Sequence, residues 1–274
     1  MKTLQSLEVA GKTDLGCVRA NNEDDFLVDA ELGLLVVADG MGGHNSGEVA
    51  SGLATATIRD FARQMLGGEK LIVPEAGNSS LSARARQLEY FVKTANTIIY
   101  EKGRAFPKDA GMGTTVVAAL ADAESMTVAH VGDSRLYLFR DGALIQVTQD
   151  HSLVADQFRK GLITEEQAAK SELQNILTRA LGAEKDVQVD VAEHRLLPGD
   201  VVLLATDGLT KMVRDEEVAG AIAEDPTPQR VVERLIERAR AAGGADNVTV
   251  VAARVPPTTA KRGLKGWFAR LSGG

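Results

Sequence analysis

The chain has 274 residues, 44% apolar and 25% charged, an ordinary globular composition that excludes disorder, collagen and coiled coil as the main state. A single cysteine, Cys17, excludes a disulfide scaffold and fits a reducing compartment. A formal net charge of -7 gives no overall attraction for polyanions and argues against a nucleic-acid binder.

The opening stretch MKTLQSLEVAGKTD has no apolar core of signal-peptide length. The longest apolar runs, LLVVA (34–38) and VVLLA (201–205), fall far short of the roughly 20 residues that span a bilayer. The expectation is a soluble, cytoplasmic, monomeric protein.

In chain order, runs rich in β-branched residues predict strands at 26–29, 34–40, 114–120, 126–133, 135–142, 200–208 and 247–255. Short connections at ADAES, GDS and Asp141-Gly142 predict an antiparallel meander over 114–148. Apolar residues at helical spacing predict helices at 47–66, 80–104 and 228–242. The stripes are Val49, Leu53, Ala56, Ile58 and Phe61, then Leu81, Leu88, Phe91, Val92, Ala95, Ile98 and Ile99, then Val231, Val232, Leu235, Ile236 and Ala239. Pro228 suits the first turn of the last helix, and Gly243-Gly244 ends it. Two shorter helical pieces are expected at 152–160 and 164–170, with a loop from 67 to 80. Hairpins interrupted by long helices predict an α+β domain with helices covering sheet faces.

The expected boundaries are one domain over 1–256 and a basic tail over 257–274. The tail carries Lys261, Arg262, Lys265 and Arg270 with no acid. It reads either as a loosely docked end or as a basic, aromatic-bearing segment for a partner or an anionic membrane surface.

The informative residues are aspartates at strand ends. Asp39 follows LLVVA, Asp207 follows VVLLAT, Asp133 follows VAHVG, and Asp246 precedes a strand. One Asp-Gly of this kind is ordinarily a turn. Several brought together would repel one another and require a compensating charge. Oxygen donors without a cysteine or histidine cluster favour Mg²⁺ or Mn²⁺. Two such ions about 3.5–4 Å apart can generate a hydroxide and clamp a phosphoryl group.

RANNEDDF (19–26), ADGMGGHNSGEVAS (38–51), GMGTT (111–115), HVGDSRLY (130–137), TDG (206–208) and ADN (245–247) occur in this order. The chain resembles bacterial serine/threonine phosphatases of the metal-dependent protein phosphatase family, also called protein phosphatase 2C. The resemblance runs from about residue 8 to 254. It implies a four-layer α-β-β-α sandwich, two antiparallel β-sheets flanked by helices, with a two-metal centre at one end. Asp39 would bridge both Mn²⁺ or Mg²⁺ ions, the Gly40 carbonyl would bind the second, and Asp207 and Asp246 the first. Glu23 and Asp24 would lie at or next to the second, mainly through water. Arg19 would hold the substrate phosphate, where its planar fork suits paired oxygens. Asp133 and Asp207 resemble the ligands of a third, weaker metal. The implied reaction is hydrolysis of phosphoserine or phosphothreonine in proteins by a metal-bridging hydroxide, opposing a bacterial serine/threonine kinase. The partners implied are that kinase and its phosphorylated substrates.

Other residues are read more plainly. No histidine precedes Cys17 and no arginine follows at phosphate-loop spacing, so it is expected to be a buried or partly buried strand residue. His44 either protonates the leaving alkoxide or caps the following helix. His130 and His151 are expected to make structural hydrogen bonds, and His194 to lie at the surface. By the resemblance, residues 151–175 would form a flap beside the site; otherwise they read as a plain connection with two packed helices. The alternative function is an inactive phosphoprotein-binding pseudophosphatase, against which the presence of Asp39, Asp207 and Asp246 counts. A two-metal nuclease is disfavoured by the acidic body.

Overall fold

Burial on both faces explains why the strands read as unbroken apolar runs. In the computed structural model, which describes residues 7–43, 46–66 and 81–257, successive residues of each central strand enter different cores. On β3 (Leu34–Met41), Leu34, Val36 and Ala38 face a helical layer, while Leu35 and Val37 face the other sheet. On β10 (Val201–Ala205), Val201, Leu203 and Ala205 meet a second helical layer, while Val202 and Leu204 turn inward. Alternation with period two places successive side chains on opposite faces. Both faces are covered here, so every position is apolar.

One sheet runs β1 (Glu8–Asp14), β11 (Val248–Arg254), β10, β7 (Arg135–Arg140), β8 (Ala143–Gln146). The other runs β2 (Asp24–Asp29), β3, β5 (Val116–Ala121), β6 (Ser125–Val131), β9 (Asp190–Arg195), with the two-residue β4 (Gly113–Thr114) beside β3. All pairings are antiparallel. Helices α1 (Ser46–Leu66) and α2 (Ala83–Ala105) cover one outer face; α6 (Asp215–Glu224) and α7 (Pro228–Ala241) cover the other. These are the four layers of the expected α-β-β-α sandwich. No helix among the described residues is long and apolar enough to cross a membrane.

The expected meander breaks at one of its three links. β5 and β6 form a hairpin, as do β7 and β8 through Asp141-Gly142, but β6 and β7 do not pair: at Gly132–Ser134 the chain crosses from one sheet to the other. Gly132 has φ +107, and a Cβ there would lie 2.6 Å from the Thr115 side chain. A three-residue link that reads as a hairpin turn is therefore a sheet-to-sheet step. It sets Asp133 at the end of the sandwich.

Other readings change in detail. The fully buried line of α1 is Ala50, Ala54, Ile58 and Ala62, with Val49, Leu53 and Phe61 at its flanks. Small residues let this helix lie close to β3. Ile98 of α2 is exposed, whereas the predicted stripe of α7 is buried throughout. Cys17 is exposed in the turn after β1 rather than in a strand. His194 is half-buried on β9, and its Nε2 is enclosed without a hydrogen-bond partner. The strands β1 and β9 and helix α6 were not anticipated. His44, the loop over 67–80 and the tail beyond Pro257 lie outside the described residues.

Candidate metal centre

Asp24, Asp39, Asp133, Asp207 and Asp246 converge at one end of the two sheets. Register makes the first pair, because Asp24 of β2 is the direct partner of Asp39 on β3. The next two strand ends add Asp133, on the crossing between sheets, and Asp207, which opens the short helix α5 (Asp207–Thr210) after β10. Asp246 leads into β11. Burial, and then the charges of Asp24, Asp207, Asp133 and Asp246, hold the Asp39 carboxyl well above the usual carboxylate range.

Close backbone approach at glycine builds this convergence. A Cβ on Gly40 would lie 2.1 Å from the Gly47 carbonyl oxygen, so the end of β3 is pressed against the first turn of α1. A Cβ on Gly208 would lie 1.9 Å from the Asn247 carbonyl oxygen, which brings α5 against the Asp246 loop. Neither position has room for a side chain.

Hydroxyl groups hold the acids in place. Thr249 and Thr206 both donate to Asp24 Oδ2, at 2.7 and 2.8 Å. Asp24 belongs to one sheet, Thr249 to the other, and Thr206 directly follows β10 of that second sheet, so this buried bond set ties the layers together. Burial pushes Asp24 up to about 7 against those hydroxyl donors. The GMGTT segment clamps the Asp39 backbone. The Asp39 N–H donates to Thr115 Oγ1 at 3.0 Å, and its carbonyl accepts from Thr115 N and Thr114 Oγ1, each at 2.9 Å. Asn247 joins three segments: its Nδ2 donates to the Leu15 and Asn21 carbonyls and its Oδ1 accepts from Glu23 N. Glu23 accepts through its carbonyl from Gly40 N at 3.0 Å, and burial raises its carboxyl while Arg19 opposes the rise.

Two cations border the acids. Arg19 Nη2 donates to Asp246 Oδ2 at 2.7 Å from a largely exposed side chain. Lys211 pairs with Asp207 Oδ2 and donates to Asn175 Oδ1 at 2.5 Å. Burial, and then the charge of Asp207, push Asp133 up to about 7, with Lys211 opposing.

The donor set fits a hard divalent cation. It consists of oxygens alone, and Asp207 Oδ1 is buried with no hydrogen-bond partner, a costly arrangement that a cation would relieve. The nearby His130, His151 and Asp190 group is different in kind. His151 Nδ1 accepts from Gly132 N at 3.1 Å, so its proton sits on Nε2, which donates to Asp190 Oδ2 at 3.2 Å. His130 Nε2 donates to the Gln149 carbonyl at 2.9 Å. Both histidines make structural hydrogen bonds, as expected. The flap region forms two short helices, α3 (Leu153–Arg159) and α4 (Glu165–Ala169), and returns past the centre at Asn175.

All seven predicted site positions, Arg19, Asp24, Asp39, Gly40, Asp133, Asp207 and Asp246, lie at this end of the sandwich. Sequence reasoning missed Lys211, Asn175 and the Thr206–Thr249 pair. Lysine at four residues after an aspartate is a readable ion-pair spacing, but lone threonines and asparagines carry no comparable signal.

An all-oxygen carboxylate cluster at one end of an α-β-β-α sandwich is suited to a metal-assisted hydrolase. The chain belongs to the protein phosphatase 2C family, whose model matches residues 18–249, and is an enzyme of that kind. It is 34% identical over 247 residues to a putative protein phosphatase 2C-type from Streptococcus pyogenes, covering 89% of this chain and 96% of that one. It is 39% identical over 250 residues to the serine/threonine protein phosphatase PstP of Mycobacterium tuberculosis, covering 91% of this chain but only 45% of that longer protein. The fold is similar to a crystal structure of the PstP catalytic domain in complex with 2 manganese ions, with a TM-score of 0.77 and 36% identity over 91% of this chain and 98% of that one.

Proposed function

We propose that this chain hydrolyses phosphoserine and phosphothreonine esters in proteins at a centre of two Mn²⁺ or Mg²⁺ ions, opposing a serine/threonine kinase. Asp39, the Gly40 carbonyl, Asp207 and Asp246 would hold the ions, with Glu23 and Asp24 behind them. Ions held there would lower the pKa of water, making it competent as a nucleophile toward phosphorus, and would neutralise charge on the phosphoryl oxygens.

The observation that carries this reading is the convergence of five aspartates with an unpartnered Asp207 oxygen at one sheet end. The chain's own groups have distinct tasks. Thr206 and Thr249 orient Asp24, and the Thr114–Thr115 clamp orients Asp39. Arg19 is exposed beside Asp246, where its free N–H groups can receive paired phosphate oxygens.

The test compares phosphate release from a phosphothreonine and a phosphotyrosine peptide, with Mn²⁺ and with chelator. Release from phosphothreonine alone, abolished by chelator, is expected. Equal release from both peptides contradicts the substrate assignment, and no release from folded protein contradicts catalysis in favour of a binding role. Phosphate loss from an autophosphorylated bacterial serine/threonine kinase tests the proposed partner.

A further inference from the structure

Lys211 lies at the acidic end and has no task in the phosphatase reading. It sits four residues beyond Asp207, and its side chain is 29% exposed. Its ammonium donates to Asp207 Oδ2 and, at 2.5 Å, to Asn175 Oδ1 on the returning flap segment.

The two oxygens of Asp207 are thereby divided. Oδ1 is buried without a partner and remains for an ion, while Oδ2 is committed to Lys211. On the Asp133 side the same ammonium opposes the mutual repulsion of Asp133 and Asp207. Arg19 is paired with Asp246 and Lys211 with Asp207, so two of the clustered acids each carry a fixed cation.

We propose that Lys211 is a built-in cation occupying the Asp133–Asp207 edge of the centre, where it takes the place of a further divalent ion and ties the flap to the site through Asn175. This rests on the reading that Asp39, Asp207 and Asp246 hold divalent ions. Lys211 is a positioning residue here: it acts through Asp207, Asp133 and Asn175. An ammonium on a flexible stem cannot lower the pKa of water as a divalent ion does. It can fix the Asp207 carboxylate and offset one of the two negative charges of that edge at every metal concentration.

The experiment counts Mn²⁺ bound to the full chain, stripped with chelator, by calorimetric titration and equilibrium dialysis. Lys211→Met removes the charge and keeps the length; Lys211→Arg keeps the charge. The expected result is one additional equivalent of Mn²⁺ bound by Lys211→Met and none by Lys211→Arg. Adding Asp133→Asn to Lys211→Met should remove that equivalent. In the otherwise unchanged chain, Asp133→Asn alone should leave the count as it was, which tests the idea even if Lys211→Met fails to fold. An unchanged or lowered count in folded Lys211→Met, or a loss of one equivalent in Asp133→Asn alone, overturns the assignment. No Mn²⁺ bound by the unsubstituted chain contradicts the metal reading itself, so the two failures are distinguishable.

Discussion

Asp24 and Asp39 are direct partners across the β2–β3 ladder, so two carboxylates emerge side by side from one end of a sheet. Like charges directly opposite one another destabilise an antiparallel pair. The fold sustains this in part because Asp24 is braced by hydroxyls from the other sheet, and on the proposed reading the pair serves a centre that takes up cations.

The repulsion predicts that Asp39→Asn stabilises the protein in chelator while disabling it. Relief of about 1 kcal/mol would raise Tm by about 2–4 °C at this size, and phosphatase activity would fall by at least about 10²–10³-fold. Thermal melts in chelator and in Mn²⁺ check this. The variant should also lose most of the Mn²⁺-induced rise in Tm, since a ligand stabilises only the state it binds. A variant that is less stable in chelator contradicts the electrostatic account.

Removing one hydroxyl from the inter-sheet brace has a separate cost. Thr249→Val leaves Asp24 Oδ2 with one fewer donor in a buried setting, and deprives Thr13 of its 2.7 Å hydroxyl partner. The expected loss is ~1–3 kcal/mol, read as a lower urea midpoint with an unchanged slope. An unchanged midpoint would show that the brace contributes nothing net.

Legibility in the sequence divided along physical lines. The strand-end aspartates, the helices on either face and the motif order could all be read because hydrophobic period and Asp-Gly punctuation are local signals. The crossing at Gly132–Ser134 could not. A three-residue link fits a hairpin, and only the pairing of β7 with β10 shows that it changes sheets. β1 (EVAGKTD) and β9 (DVAEHR) were missed because their alternating polar residues lower the strand signal at sheet edges. Lys211 and Asn175 are 36 residues apart, and nothing local in the sequence marks them as partners.

His151 gives the pH dependence. Burial, then stacked His130 and nearby Arg179, lower its pKa to about 4, with Asp190 opposing. The unfolded chain, with its histidine near 6.5, binds the extra proton first as pH falls. The stabilisation is thus complete above about pH 6.5 and is lost progressively down to about pH 4, of order 3 kcal/mol in all. The buried carboxyls of Asp24 and Asp133, raised to about 7, act with the opposite sign over the same window, so the His151 contribution is read as the difference in slope between the parent and His151→Gln in urea unfolding between pH 4 and 7. An equal slope in both proteins assigns the effect to other groups.

Arg19 is predicted to matter for turnover and not for stability. Its pair with Asp246 is exposed, so Arg19→Ala should change stability by under ~1 kcal/mol. Loss of charge-assisted hydrogen bonds to phosphate, about 2 kcal/mol, corresponds to roughly 30-fold in kcat/KM. Arg19→Lys should restore only part of it, because an ammonium lacks the fork. Full activity in Arg19→Ala removes the residue from substrate binding.

The measurement that bears most directly on the whole account is phosphate release from a phosphothreonine peptide as Mn²⁺ is titrated into metal-free protein, beside Asp207→Asn. The account predicts no release without metal, saturable activation in the unsubstituted chain, and loss of both activation and tight Mn²⁺ binding in a folded Asp207→Asn. Release that persists in chelator, or an Asp207→Asn variant that binds Mn²⁺ and turns over like its parent, would contradict a metal centre built on the converging aspartates.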